Sequence, residues 1–250
     1  MGTSKSYSDT RRAMIPNWGD LSNTVTRSCA DGNVTQDNLS NILGKYVIAV
    51  GGASNSGRGN SKIAGRSGIK TAKKLGGFIG GFVASGGNLL QTLSQTGLTD
   101  LTGKSVEDVV NHLIEFCSGP ASTIDDRAAK EASRKLLEEI ASNANTIEEL
   151  QESLQNTVDR ETLEDLMVKY FGYYVLEHLS VMFYEHLVIK KGKSECSNLF
   201  RQIEAFIIDR LDEMNKTNPL KKINWESDDA DRLIKNIQQD VLTVFENHEG

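Results

Sequence analysis

The chain has 250 residues, 38% hydrophobic and 25% charged, with 28 Lys plus Arg against 34 Asp plus Glu and a net charge of −6. That is the composition of an ordinary soluble protein, long enough to bury a sizeable core in one or two domains, and it excludes collagen. Three widely spaced cysteines (Cys29, Cys117 and Cys196) without a Cys-x-x-Cys pair argue against a disulfide scaffold and a structural zinc site, and a reducing cytoplasm is the expected compartment.

Glycine and charge are unevenly distributed. Of the 22 Gly, 17 lie at or before Gly97. Residues 1–75 hold 11 basic and 4 acidic side chains, a net of +7, whereas residues 76–250 hold 17 basic and 30 acidic, a net of −13. A basic, Gly/Ser-rich front is therefore joined to an acidic, Gly-poor back.

Residues 1–40 are polar and carry the turn formers Asn17, Gly19, Asp20, Asp31, Gly32 and Asn33. They are expected to be extended or disordered. No apolar h-region is present, so the start is not a secretory signal. Gly2 and Ser6 fit the N-myristoylation pattern. Small Gly2 also lets the initiator Met be trimmed, which leaves a free glycine amine. Ile42–Val50 is a short apolar run, either a strand or a piece of buried helix. Residues 51–62 (GGASNSGRGNSK) have the composition of a flexible linker. The expected division is an extended tail and linker over 1–60 and a helical domain over 61–250.

Within the helical part, residues 61–74 are basic, with Ile63 and Ile69 spaced for a weak helix face. Residues 75–95 form a Gly-rich helix with two GxxxG pairs, Gly76/Gly80 and Gly77/Gly81, which suit close helix approach. Polar Ser85, Asn88, Gln91, Thr92 and Ser94 interrupt its far half. A closely packed buried helix is the preferred reading; a membrane-inserting segment over 63–95 and a loop are the alternatives. About six helices follow. Ser105, Thr123 and Thr146 are their N-cap candidates. The helix from Asp159 to about Lys190 is apolar on nearly all sides and is expected at the centre. Two more cover about 195–215 and the stretch from Ser227, separated by Asn218-Pro219. The fold class is all-α: a helical bundle-like domain preceded by a flexible, Gly/Ser-rich basic N-terminal region.

Motifs for catalysis are weak. Gly103-Lys104-Ser105 fails as a phosphate loop because Leu98 stands where the first glycine is needed, so a turn and a helix cap are expected. His178 and His186 are eight residues apart on one helix, about 12 Å by helical rise, too far to share a metal; polar positions flanking a buried helix are expected instead. No Gly-x-Ser-x-Gly elbow occurs in a strand–turn–helix context. No catalytic residue, metal or cofactor is expected. The basic stretch Arg58, Lys62, Arg66, Lys70, Lys73 and Lys74 suits phosphate backbones, but it has no interleaved aromatics for base stacking. A solvated linker, or docking onto an acidic surface of this chain or a partner, is the preferred reading. A nucleic-acid-binding adaptor is the alternative.

Several segments in order carry a family resemblance: GTSKSYSD at the start, Pro16-Asn17-Trp18, GGASNSGRGNSKIAGRSG, and TGLTDLTGKSVEDVVNHLIEFCSGPASTIDDRAAKEA. Together they resemble the QatB family of the four-gene bacterial Qat anti-phage defence system, most strongly over 2–8, 51–70 and 96–132. The resemblance implies a non-enzymatic defence component acting with an ATPase, a QueC-like enzyme and a TatD-like nuclease. It also implies a modification, because QueC-like enzymes of defence systems are linked to attaching a deazapurine to a partner's N-terminal glycine. The implied site is Gly2, with Thr3, Ser4, Lys5, Ser6 and Tyr7 entering the partner's pocket. Trp18, with Met14 and Ile15, is the expected second docking contact.

Overall fold

A computed structural model describes residues 18–29, 34–217 and 229–246. Among these residues there are eleven helices and no strand. They are α1 (Trp18–Ser28), α2 (Gln36–Ala49), α3 (Ala53–Gly57), α4 (Arg66–Ala84), α5 (Leu89–Gln95), α6 (Val106–Ser118), α7 (Ile124–Ala141), α8 (Ile147–Arg160), α9 (Leu163–Lys191), α10 (Lys193–Thr217) and α11 (Asp229–Glu246). The all-α class read from the sequence is the class observed.

Local chemistry sets most helix starts. Ser105, Thr123 and Thr162 each form a capping box, paired with Asp108, Asp126 and Asp165 respectively. In each, the hydroxyl accepts the N3 amide while the N3 carboxylate accepts the cap amide, so two orphan donors are satisfied at once. Thr35, Asn88 and Thr146 cap with single side-chain bonds. Gly103-Lys104-Ser105 is a turn and a cap, as its spacing implied: Lys104 N–H donates to the Leu101 carbonyl and Ser105 is occupied by Asp108.

Helix α9 is the centre. It packs against α1, α4, α7, α10 and α11. Its buried side chains include Leu166, Met167, Tyr170, Phe171, Tyr174, Val175, His178 and Leu179, which face several directions around the helix. A helix apolar all round needs neighbours all round, and α9 has them. Gly172 lets α10 come close: a Cβ there would stand 2.6 Å from Leu211 Cδ1 and 3.1 Å from Ile207 Cγ2.

The structure differs from the sequence reading in the front half. Trp18–Ser28 and Gln36–Ala49, expected within an extended tail, are helices packed on each other. Leu21 and Val25, one turn apart on α1, are buried, and Asp20 favours the positive first turn. Turn-forming Asn17 and Gly19 drew attention from that stripe. The Ile42–Val50 run is resolved as helix, with Ile42, Leu43, Tyr46 and Val47 at 0% exposure. The expected flexible linker at 51–62 contains α3, which packs on α11. Ser and Asn make turns here: Ser61 Oγ accepts the Ile63 amide, and Asn55 Nδ2 donates to the Gly51 carbonyl. The Gly-rich helix expected over 75–95 is two helices, α4 and α5, broken at Gly86 and Gly87, whose φ values are +68° and +82°.

Close approach also falls on other glycines than the GxxxG pairs. A Cβ on Gly77 would have nothing within 4 Å. A Cβ on Gly57 would lie 2.5 Å from the Gln239 Cα of α11. The apolar side of α4 (Leu75, Phe78, Ile79 and Phe82) is buried in the core. Among the described residues, no helix is long and apolar enough to cross a membrane.

These two glycines predict opposite outcomes. Gly57→Ala drives α3 off the backbone of α11 and lowers stability by about 1–3 kcal/mol. Gly77→Ala adds helix propensity at an open position and raises stability by about 0.5–1 kcal/mol. Urea unfolding of the two variants beside the parent measures both; equal signs would contradict the packing described.

Candidate functional site

Of the residues that the sequence marked for partner binding, Gly2, Thr3, Ser4, Lys5, Ser6 and Tyr7 lie outside the described residues. Trp18 lies within them. It opens α1 and stacks on Phe183 of α9, with ring centroids 4.8 Å apart and planes 13° from parallel. Phe183 is itself buried. The indole, expected with Met14 and Ile15 to be a second docking contact for a partner, is stacked inside the chain, at the point where α1 joins the central helix, and Met14 and Ile15 lie outside the described residues.

A buried polar network lies at the Gly-rich segment 56–68. The Tyr174 hydroxyl of α9 donates to Asp125 Oδ1 at 2.5 Å and accepts the Gly65 amide at 2.7 Å. Asp125 Oδ2 accepts the Ser67 amide at 2.9 Å, and Ser67 Oγ donates to Asp126 Oδ1 at 2.7 Å. The first turn of α7 thereby caps the first turn of α4, carboxylates against a positive helix end. Tyr170 donates to the Gly68 carbonyl at 3.2 Å. Gly68 lets the two helices close: a Cβ there would sit 3.1 Å from the Tyr174 ring. The basic segment thus meets Asp125 and Asp126 through uncharged Ser67, not through its cations.

Burial controls the titration of this network. It pushes the Tyr174 phenol well above its usual range, with the Asp125 charge adding to the rise. It lowers the His178 imidazole, against an opposing pull from Asp125. At Asp126 partial burial raises the carboxyl, but hydrogen bonds from Ser67, Ser122 and Thr123 outweigh it and bring the pKa to about 2. His178 is fully buried, not at the flank of the helix as its sequence context suggested, because α9 is covered on that side by the 56–68 segment. Its Nε2 lies 3.3 Å from the Ile63 carbonyl, which makes Nε2 the protonated nitrogen. Four residues around the segment (Tyr46, Ser56, His178 and Gln238) hold the buried side-chain polar atoms that lack a hydrogen-bond partner among the described residues.

On the outer side of the same segment is a cleft of about 310 Å³. It is lined by Arg58, Arg66, Lys70, Lys73 and Lys235, with Gly59 and Ile69. Four of these cations belong to the basic stretch noted in the sequence. Lys62 is exposed outside the cleft, and Lys74 turns away to donate to the Phe116 carbonyl at 2.7 Å. Lys235 comes from α11 and had no sequence signal linking it to the others.

The cysteine thiols are buried. Burial raises the thiol pKa of Cys29, brings that of Cys117 to about 12, and brings that of Cys196 to about 11. Such thiols are poor nucleophiles. Among the described residues no three His, Cys, Asp or Glu side chains group to hold a metal ion.

Tyr174→Phe strands the Gly65 amide and one Asp125 oxygen and lowers stability by about 1–3 kcal/mol. Tyr46→Phe removes a hydroxyl with no partner among the described residues and leaves stability unchanged or higher; urea midpoints separate the two. The neutral His178 predicts a pH effect. Because its folded pKa is depressed, the unfolded chain takes up a proton that the folded chain refuses, so stability falls as pH drops below about 6.5. His178→Gln flattens that acid-side loss, read from urea midpoints at about pH 7.5 and about pH 5.5.

Over residues 56–245 the sequence matches the family profile described as Qat anti-phage system associated protein QatB. No curated protein and no solved structure matches the chain. The matched span holds the whole basic cleft and the Tyr174–Asp125 network. The chain therefore belongs to the QatB family, the proteins associated with the Qat anti-phage system.

Proposed function

We propose that this chain is a non-enzymatic, cytoplasmic component of its anti-phage system, whose N-terminal segment is bound by a QueC-like partner enzyme and modified at Gly2. The remaining components with which it acts are an ATPase and a TatD-like nuclease. Membership of the QatB family supports the defence role. The observation that favours presentation of the N-terminus is the Trp18–Phe183 stack. It attaches α1 to the central helix, and sixteen residues from Gly2 reach at most roughly 58 Å. That length lets Gly2 enter an enzyme pocket while the helical body remains outside it. Thr3 and Ser4 beside Gly2 are small enough for a narrow entrance. The body supports a scaffold more than a catalyst: its thiols are buried with raised pKa values, its Tyr174–Asp125 pair is engaged in holding helices together, and His178 is bonded to the Ile63 carbonyl.

Co-expression with the other system proteins tests this reading. The parent chain is expected to co-purify with the QueC-like enzyme, and its intact mass is expected to show loss of Met1 and an adduct on the N-terminal peptide. Deleting residues 2–8, or blocking Gly2 behind an N-terminal tag, is expected to abolish both, with an unchanged helical circular-dichroism spectrum. Full phage protection by the tagged chain would overturn the role of Gly2.

A further inference from the structure

We propose that the basic cleft between α4 and α11 is a binding site for a compact polyphosphate group, such as inorganic triphosphate or the phosphate chain of a nucleotide. The site is independent of the role proposed for the N-terminal segment. Its cations converge from three parts of the chain. Arg58 follows α3; Arg66, Lys70 and Lys73 lie at i, i+4 and i+7 on one face of α4; Lys235 faces them from α11.

The second observation is a charge imbalance. On the rest of the body, Lys130, Arg134, Lys135, Lys169 and Arg210 each pair with a carboxylate, whereas Lys104, Arg127, Lys190 and Lys193 form no ion pair among the described residues; what marks the cleft is that its unpaired cations line one hollow. In the cleft, Lys73 pairs with Asp231, whereas Arg58, Arg66, Lys70 and Lys235 form no ion pair among the described residues. Four cations without an ion pair among the described residues therefore line 310 Å³, three of them (Arg58, Arg66 and Lys70) exposed to solvent, and a bound polyanion relieves what repulsion solvent leaves unscreened. Arg66 is also held in place, its Nε donating to the Gly59 carbonyl at 3.1 Å. Gly59 has φ +69°, a left-handed backbone that favours glycine, and a Cβ there would stand 3.1 Å from Ile69 Cδ1, so a side chain at this position would strain the close of the loop on α4. A guanidinium anchored through Nε keeps a planar set of donors for phosphate oxygens.

The size and surroundings favour a compact anion over a nucleic acid. The cleft is at the small end of ligand pockets, and among the described residues no aromatic lines it for base stacking. Residues 76–250 carry a net charge of −13, which repels a long polyanion extending beyond the cleft.

Calorimetric titration of the full chain with sodium triphosphate, ATP and a single-stranded DNA oligonucleotide tests the site. Triphosphate is expected to bind, with affinity that falls as salt is added. Lys70→Gln and Lys235→Gln are each expected to weaken it about tenfold, and Lys193→Gln on α10 to leave it unchanged. ATP binding at least as tightly identifies a nucleotide as the source of the phosphates; weaker ATP binding identifies a free polyphosphate. Failure of triphosphate to bind, equal losses in all three variants, or tighter binding of DNA than of triphosphate overturns the proposal.

Discussion

The hydroxyl of Tyr174 joins three elements that are distant in the chain. It donates a hydrogen bond to Asp125 at the start of α7 and accepts one from the Gly65 amide at the start of α4, while its own helix, α9, runs through the centre. Each partner would otherwise be a buried or half-buried polar group with an unmet hydrogen bond. The same clamp determines where the 56–68 segment lies. That segment covers His178 on its inner side and lines the cationic cleft on its outer side. The core and the candidate anion site are therefore two faces of one strip of chain.

Charge is arranged to suit this plan. The basic front and acidic back are brought together at the first turn of α7, where Asp125 and Asp126 receive Ser67. Lys73 meets Asp231 of α11. Four further cations without an ion pair among the described residues line one cleft, where they are held by α4, α11 and the loop after α3 instead of being spread along a mobile linker. The aromatic stack of Trp18 on Phe183 does a separate task at another part of α9, attaching α1 beside the far half of that helix.

Much of the back half was legible. Capping boxes are local: a hydroxyl and a carboxylate three residues apart satisfy each other's backbone, so Ser105 and Thr123 start helices wherever the helices end up. The all-round apolarity of α9 implied central burial for a similar reason, since no other placement removes that surface from water. The front half was less legible. Gly, Ser and Asn are the residues of flexible linkers and also of tight turns, and composition does not distinguish the two. Gly57 reads as freedom in the sequence and acts as a close contact with Gln239; Gly77 reads as a packing notch and faces open space. Which role a glycine takes depends on the neighbour across from it, and that neighbour comes from a remote part of the chain. Of the candidate site, the cations on residues 58–73 were visible as a charged run, but Lys235 was not.

By itself the sequence determined the helical class, the capped starts at Ser105, Thr123 and Thr146, the identity of the central helix though not its start (Thr162 caps it, and Asp159 belongs to α8), and, through the order of its motifs, the family. These depend on periodicity and on interactions within a few residues. Only the tertiary structure decided that residues 18–28, 36–49 and 53–57 are helical and packed, that Trp18 is held by Phe183, that His178 is buried with its pKa lowered by that burial, and that five cations from three places share one cleft. Each of those depends on contacts between residues far apart in the chain, and the energy of a long-range contact is not written in either of its partners alone.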